Sequence, residues 1–252
     1  MTKTAIVTGG AGDIGKAIAR GLREIDWDVA LVDVAETVHE TAADLGARAF
    51  CCDITDRTAR AEVVATVSSP GALVNCAGIV RLTPVPDVSE AEWRQTMETN
   101  LYAPFFLSQE VARSMTDGGA IVNIASVSGL RAGFGRMSYG VSKAALIHMT
   151  KQFALELAPR GITCNAIAPG PVEGDMARAH PPDQVADYLK TIPQARYAKA
   201  KEIADAVVFL CTPAAGHISG QCIAVDGGWT AAGVGVAAAQ NQTWPPPDLA
   251  TR

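Results

Sequence analysis

The sequence predicts one α/β domain, a doubly wound parallel sheet of about seven strands flanked by helices. Three observations carry that expectation. Short runs rich in β-branched residues alternate with helical stretches along most of the chain. The runs are nearly continuous in apolar character, which marks strands covered on both faces; a strand with one wet face would alternate. The 252 residues exceed the ~150 of an average domain, yet one α/β domain takes in that many.

The first strand spans 4–8 (TAIVT) and runs into a glycine-rich turn and a helix at 13–24. The second strand, 29–33 (VALVD), precedes a helix at 38–45, and the third, 48–53, precedes a helix at 57–67. The fourth strand, 72–75, leads to one long helix over 89–115. The fifth, 120–125, leads to a helix at 139–157, and the sixth, 163–168, to a helix at 201–211 before the last strand, 222–225. Each strand-helix-strand step is a right-handed crossover. Residues 1–235 form one domain, without internal repeat or linker-like break. The tail, 236–252, carries Ala237, Ala238 and Ala239, then Trp244 before Pro245, Pro246 and Pro247, and has no periodicity. It reads either as a flexible end or as an arm over a neighbouring subunit, anchored by Trp244.

Composition narrows the function. With 48% hydrophobic and 19% charged residues the chain is far from disorder, and a net charge of −5 gives no basic field for nucleic acid or anionic lipid. Neither is expected as a partner. Cys51, Cys52, Cys76, Cys164, Cys211 and Cys222 show no CxxC spacing and no histidine in a ligand pattern, so they read as small buried hydrophobes, with no metal. The chain enters its first strand without a leader segment, and no run approaches the ~18 apolar residues of a membrane span. A cytoplasmic location is the expectation.

The turn Gly9-Gly10-Ala11-Gly12-Asp13-Ile14-Gly15 lies between a strand and a helix. Glycines there let the backbone turn tightly and approach a pyrophosphate, which rests on free N–H groups at the positive end of the helix. Gly10, Gly12 and Gly15 satisfy GxGxxG, and the strand before and helix after supply the context that this short pattern needs. This is a Rossmann-type arrangement. Asp33 ends the second strand eighteen residues past Gly15, close to the ~20 expected of the acid that binds an adenosine ribose. A carboxylate there repels a 2′-phosphate, and Val34, Ala35 and Glu36 offer no cation to neutralise one, so NAD is expected over NADP.

Tyr139 and Lys143 stand four apart on a predicted helix and share a face. A YxxxK pair alone says little, since Tyr197 and Lys201 form a second one. Ser126, thirteen residues before Tyr139 at the end of an apolar strand, separates the two; the matching position before Tyr197 is Gln184.

Together these residues resemble the short-chain dehydrogenase/reductase family, in its single-domain branch of about 250 residues. The likeness runs through the glycine turn, Asp53, Asn75-Cys76-Ala77-Gly78, Asn100, Ser126, Tyr139, Lys143, Pro169-Gly170-Pro171-Val172 and Asp226-Gly227-Gly228. The resemblance implies that Tyr139 is the general acid and base, that Ser126 binds the substrate oxygen, and that Lys143 binds the nicotinamide ribose while lowering the tyrosine pKa. Asn100 would position a water in a proton relay to Lys143. Bringing a tyrosine from its ordinary value near 10 to about 7 needs roughly 4 kcal/mol of phenolate stabilisation. By the same resemblance Gly9, Gly12, Asp13, Ile14, Gly15, Asp33 and Val34 hold the cofactor. Asp53 and Ile54 would contact adenine, Asn75, Ala77 and Gly78 would line the channel, and Pro169, Gly170 and Val172 would face the nicotinamide.

Two positions depart from the family pattern. Asp13 stands where the turn usually has its middle glycine; it is expected to cap the helix start while Ile14 packs on the cofactor. Gly174 stands where a threonine often holds the nicotinamide carboxamide. The spacing of the turn also fits the two-domain branch, but only about 80 residues follow Pro169, too few for a second domain.

Residues 173–196 fall where the family carries a substrate lid, with Pro181, Pro182, Tyr188 and Pro193 suggesting a short helix between bends. Val127, Phe134 and Met137 are expected to form an apolar substrate wall beside Ser126 and Tyr139; Arg131 and Arg136 do not by themselves mark a nucleotide or phosphopantetheine substrate. The expected function is NAD(H)-dependent interconversion of a small-molecule secondary alcohol and ketone. The alternative is a 3-oxoacyl-thioester reductase, and a non-catalytic dinucleotide sensor would need a damaged catalytic set. The resemblance also implies a homotetramer.

Overall fold

The computed structural model describes residues 3–174, 182–233 and 236–241. Seven parallel strands form one sheet in the order β3, β2, β1, β4, β5, β6, β7: β1 (Thr4–Thr8), β2 (Asp28–Asp33), β3 (Arg48–Cys51), β4 (Ala72–Asn75), β5 (Gly119–Ile124), β6 (Ile162–Pro169) and β7 (Cys222–Val225). The chain winds outward from β1 to β3, returns to β4 beside β1, and winds out to β7. That reversal opens a crevice at the carboxyl ends of β1 and β4, where a doubly wound sheet binds its ligands. Every residue of β4 is buried, whereas the edge strand β3 has none fully buried, so the apolar runs mark strands covered on both faces.

Helix α1 (Asp13–Glu24) packs with α2 (Val38–Leu45) on one face of the sheet. Ile18 and Leu22 of α1 are fully buried with Val7 and Val29, one turn apart on one stripe. The opposite face carries α3 (Arg57–Thr66), α4 (Glu90–Met97), α5 (Ala103–Ser114) and the long α6 (Met137–Leu157). There Val63, Leu107 and Val111 bury against Ile6, Leu73 and Ile121. Next come α7 (Pro182–Thr191) and α8 (Ala200–Leu210), the latter returning to the α1 face through Ile203 and Val207.

Most predicted elements agree to within one or two residues. The helix expected over 89–115 is different: a π turn at Glu98–Tyr102 divides it. Pro104 has no N–H to give to the carbonyl of Asn100, four residues earlier, so the regular ladder cannot pass that point. The first residues of the expected tail also carry structure. Helix α9 (Val236–Gln240) lies against α7, and Gln240 Nε2 donates to the carbonyls of Leu189 and Ile192 at 2.9 and 2.7 Å. Trp244 and its prolines, and 175–181 of the expected lid, lie outside the described residues. Among the described residues no helix is long and apolar enough to cross a membrane.

Candidate active site

The crevice is built first by the end of β1. Thr8 Oγ1 accepts hydrogen bonds from the N–H groups of Cys76 and Ala77, both at 3.0 Å, and so ties the turn after β1 to the turn after β4. Gly9 has φ +68°, and a Cβ there would stand 2.9 Å from Ala77 N. A Cβ on Gly15 would overlap the carbonyl oxygen of Gly9, so only glycine lets α1 start this close to the strand end. Asp33 ends β2 facing the same turn, its carboxylate accepting from Ala11 N and Ala35 N at 3.0 Å each. A backbone cradle at a helix N-terminus, with a fixed carboxylate at its side, suits the pyrophosphate and adenosine ribose of a dinucleotide.

Across the crevice, Ser126 follows β5 and is 7% exposed, with Ser128 N donating to its hydroxyl at 3.1 Å. Tyr139 and Lys143 lie one turn apart on α6, and Lys143 Nζ sits 5.8 Å from the centre of the Tyr139 ring. Lys143 is 4% exposed and donates to the carbonyl of Ile124 at 2.7 Å; burial brings its pKa down to about 8. The Tyr139 phenol is pushed above its ordinary value, chiefly by burial. Hydrogen bonding to Ser126 and the charge of Arg136 work the other way. Lys143 Nζ thus donates to the Ile124 carbonyl beside the Tyr139 ring, and burial is the largest influence on the phenol. Asn100 is fully buried in the π turn; its Oδ1 accepts from Ile79 N at 2.8 Å, and its Nδ2 donates to Ile79 O and Ser142 Oγ at 2.9 and 3.1 Å.

One cavity of about 630 Å³ joins these groups except Asn100, which lies behind its wall. Of the predicted cofactor residues, Gly9, Gly12, Asp13, Ile14, Gly15, Asp33, Ala77, Gly78, Pro169, Gly170 and Val172 line it, together with Ser126, Val127, Tyr139 and Lys143. Val34, Asp53, Ile54 and Asn75 do not. Val34 is 66% exposed, Asp53 closes a local turn by accepting from Thr55 N at 2.8 Å, and Ile54 is buried in the core. Asn75 lies in a buried polar layer, its Nδ2 donating to Ser108 Oγ and Asn123 Oδ1 at 2.9 and 2.8 Å. That layer, rather than the cavity, uses its amide. Phe134 lines an adjoining cavity, whereas Met137 lines neither, since two residues along a helix from Tyr139 point to another side.

Asp13 does not cap α1. Gly12 is the N-cap residue, and Asp13, the first helical residue, carries its carboxylate across the crevice to Gly174. A Cβ on Gly174 would overlap Asp13 Oδ2, and Gly174 has φ +143°. The two departures from the family pattern are therefore in contact, and the carboxylate occupies the space that a side chain at 174 would need.

Residues to which the sequence assigned no catalytic, cofactor or substrate role of their own complete the walls: Cys76, Val80, Leu82, Arg136, Glu173, Tyr188 and Trp229. Burial pushes the Cys76 thiol up to about 12, so it is an apolar wall rather than a nucleophile. Arg136 had one local signal, its place one turn before Tyr139, and Tyr188, on α7, falls within the expected lid; Trp229 arrives from the segment after β7 and had none. Glu36, His39 and Cys51 also come within 4.8 Å of one another at the β2–β3 edge, but Glu36 and His39 are exposed and the Cys51 thiol is turned to the carbonyl of Val34. The second YxxxK pair stays outside the cavity: Lys201 pairs with Asp205 at the surface, and the Tyr197 hydroxyl is buried without a partner among the described residues.

Similarity to known proteins spans most of the chain. The family described as Enoyl-(Acyl carrier protein) reductase matches residues 9–230. The NAD-dependent glycerol dehydrogenase of Listeria innocua is 37% identical over 238 residues, which cover 90% of this chain and 94% of that one. The 3-oxoacyl-[acyl-carrier-protein] reductase FabG of Escherichia coli is 37% identical over 235 residues, covering 90% and 96%. The structure of a short-chain type dehydrogenase/reductase from Mycobacterium ulcerans has a TM-score of 0.88 at 28% identity, over 91% of this chain and 90% of that one. With the fold and about nine-tenths of the length held in common, the chain belongs to the short-chain dehydrogenase/reductase family and is an oxidoreductase that works with a nicotinamide dinucleotide.

Proposed function

We propose that this oxidoreductase is NAD(H)-dependent and interconverts a small secondary alcohol and its ketone, with Tyr139 as the acid and base. The observation that carries the reading is the convergence of Ser126, Tyr139 and Lys143 on the cavity that the glycine turn and Asp33 also enter. When bound, the dinucleotide gives or takes the hydride. Tyr139 takes the proton from the alcohol oxygen or returns it to the ketone, and Ser126 hydrogen-bonds that oxygen. Lys143 holds the nicotinamide ribose and, once turned from Ile124 toward the phenol, favours the phenolate. Asn100, fixed by Ile79 and Ser142, orders a water through which Lys143 regains its proton. Pro169, Gly170 and Val172 face the nicotinamide, while Val34, Asp53 and Ile54 lie toward the adenine edge.

Asp33 supports NAD over NADP. Its carboxylate is held by two backbone N–H groups at the end of β2, no cation stands at 34–36, and Asp13 and Glu173 add negative charge to the same cavity. A 2′-phosphate would meet repulsion without relief. We place the enzyme in the cytoplasm as a homotetramer, with 173–196 as a lid over the substrate. The 37% identity to FabG favours a second reading, reduction of a 3-oxoacyl thioester. Steady-state assay of secondary alcohols with NAD, and of an acetoacetyl thioester with NADH and NADPH, separates the two. Tyr139→Phe is expected to lower turnover about 10²- to 10⁴-fold while NADH still binds, as read by fluorescence. Full turnover in that variant would overturn both readings.

A further inference from the structure

The catalytic cavity does not end at Tyr139. At Val127, Ser128 and Arg136 it meets a second cavity of about 610 Å³, and the two share Tyr188 and Trp229 as walls. Among the described residues three cations line this outer cavity, Arg131, Arg136 and Lys190, and no carboxylate does. Lys190 is compensated by Asp187 at 3.0 Å. Among the described residues the two arginines have no such carboxylate. Arg131 Nη1 donates to the backbone carbonyls of Trp229 and Ala232 at 3.1 and 3.4 Å, and Arg136 Nη2 donates to the Tyr188 hydroxyl at 2.6 Å. These neutral partners fix two guanidinium groups at the cavity wall and leave both charges standing. Each guanidinium has five N–H donors in a planar fork, so most remain for a ligand, and the fork matches a carboxylate or phosphate.

The placement runs against the rest of the chain, whose net charge is −5 and whose dinucleotide side of the crevice carries Asp13, Asp33 and Glu173. Negative charge lies where the cofactor is proposed to sit, and positive charge beyond the reacting centre. Phe134, 92% exposed on the same wall, offers apolar area to a bound molecule.

We propose that the outer cavity is an anion subsite: the substrate carries, beyond the oxygen held at Ser126 and Tyr139, a carboxylate or phosphate that Arg131 and Arg136 grip. This rests on the alcohol–ketone reading and names its substrate class. Arg136 then has two effects, because its charge also favours the Tyr139 phenolate.

Matched alcohol pairs differing only in charge test it: a hydroxy acid against its amide, and a hydroxyalkyl phosphate against its neutral methyl ether. The wild type is expected to prefer the anionic member by about tenfold or more in kcat/KM. The pair that shows the preference identifies carboxylate or phosphate. Arg131→Gln and Arg136→Gln, which keep a donor and lose the charge, are each expected to cut that preference about tenfold, mainly through KM, and Arg136→Lys to restore part of it. Equal use of both members, or an unchanged preference in the Gln variants, overturns the proposal. A second readout does not need turnover: succinate and glycerol 3-phosphate titrated into the NADH complex, followed by tryptophan fluorescence, with Trp229→Phe to assign the signal. Saturable binding that is lost in the Arg131→Gln/Arg136→Gln double variant supports the subsite, and no binding of either anion overturns it. Anion binding with no alcohol or ketone turned over would instead sink the alcohol–ketone reading alone.

Discussion

Lys143 Nζ donates to the carbonyl of Ile124 at 2.7 Å, so the buried ammonium of α6 is bound to the last residue of β5. That bond does not offset its burial, and the pKa falls from 10.5 to about 8. Below pH 8 the folded and unfolded chains both carry the proton, and the cost of burying the charge is present in full. As pH rises through 8 the folded state loses its proton first, and the cost is relieved until the unfolded chain titrates near 10.5. Urea unfolding of the cofactor-free protein is therefore expected to show wild type gaining on Lys143→Met by up to about 3 kcal/mol between pH 8 and 10.5. A difference that stays flat across that window would contradict the burial of this charge.

Tyr197 gives the opposite expectation from Tyr139, although both head a YxxxK pair. Its hydroxyl is buried without a hydrogen-bond partner among the described residues and lies outside the catalytic cavity. Removing an unsatisfied buried hydroxyl costs nothing and relieves its desolvation, worth about 1 kcal/mol. Tyr197→Phe is expected to unfold at equal or higher urea concentration and to keep its kcat. A large loss of turnover would show that the spacing alone selects the catalytic tyrosine.

Asp33 holds Ala11 and Ala35 at once, so its carboxylate is fixed before any ligand arrives. Asp33→Ala is expected to weaken NAD binding about tenfold or more, the scale of one or two hydrogen bonds to a charged acceptor. NADP binding is expected to fall less, because the same change removes a repulsion. Fluorescence titrations with NADH and NADPH measure the ratio; a ratio unchanged from wild type would assign cofactor choice elsewhere.

Asp13 and Gly174 are expected to be coupled. Gly174→Thr alone must displace the Asp13 carboxylate and force φ +143° on a β-branched residue. Adding Asp13→Gly frees the space, so the double variant is expected to recover about 1–3 kcal/mol of the stability lost by Gly174→Thr. Additive effects in a double-mutant cycle of thermal unfolding would mean that the two side-chain positions do not meet.

The features legible in the sequence are those set by neighbours along the chain. The glycine turn, the apolar strands and the register of Ser126, Tyr139 and Lys143 each depend on strand ends and helix periodicity, which a linear pattern records. The π turn at Glu98–Tyr102 was hidden because the apolar pattern runs through it and only Pro104 interrupts the hydrogen bonds. Asn75 reads as a channel residue by position, yet β4 turns its amide inward to Asn123 of the neighbouring strand. The contact between Asp13 and Gly174, and the meetings of Arg136 with Tyr188 and of Arg131 with Trp229, join segments far apart in sequence. Only the winding of the sheet brings these together.

Gln240 has a consequence that reaches the pocket. The carbonyls at the end of a helix need donors from outside it, and α7 takes two from one glutamine side chain about fifty positions later. The helix that presents Tyr188 and Lys190 to the outer cavity is thus fastened at one end by the chain's closing segment. Selection acting on that segment acts on the shape of the substrate entrance, so changes near the C-terminus can retune specificity without touching a residue that meets the substrate.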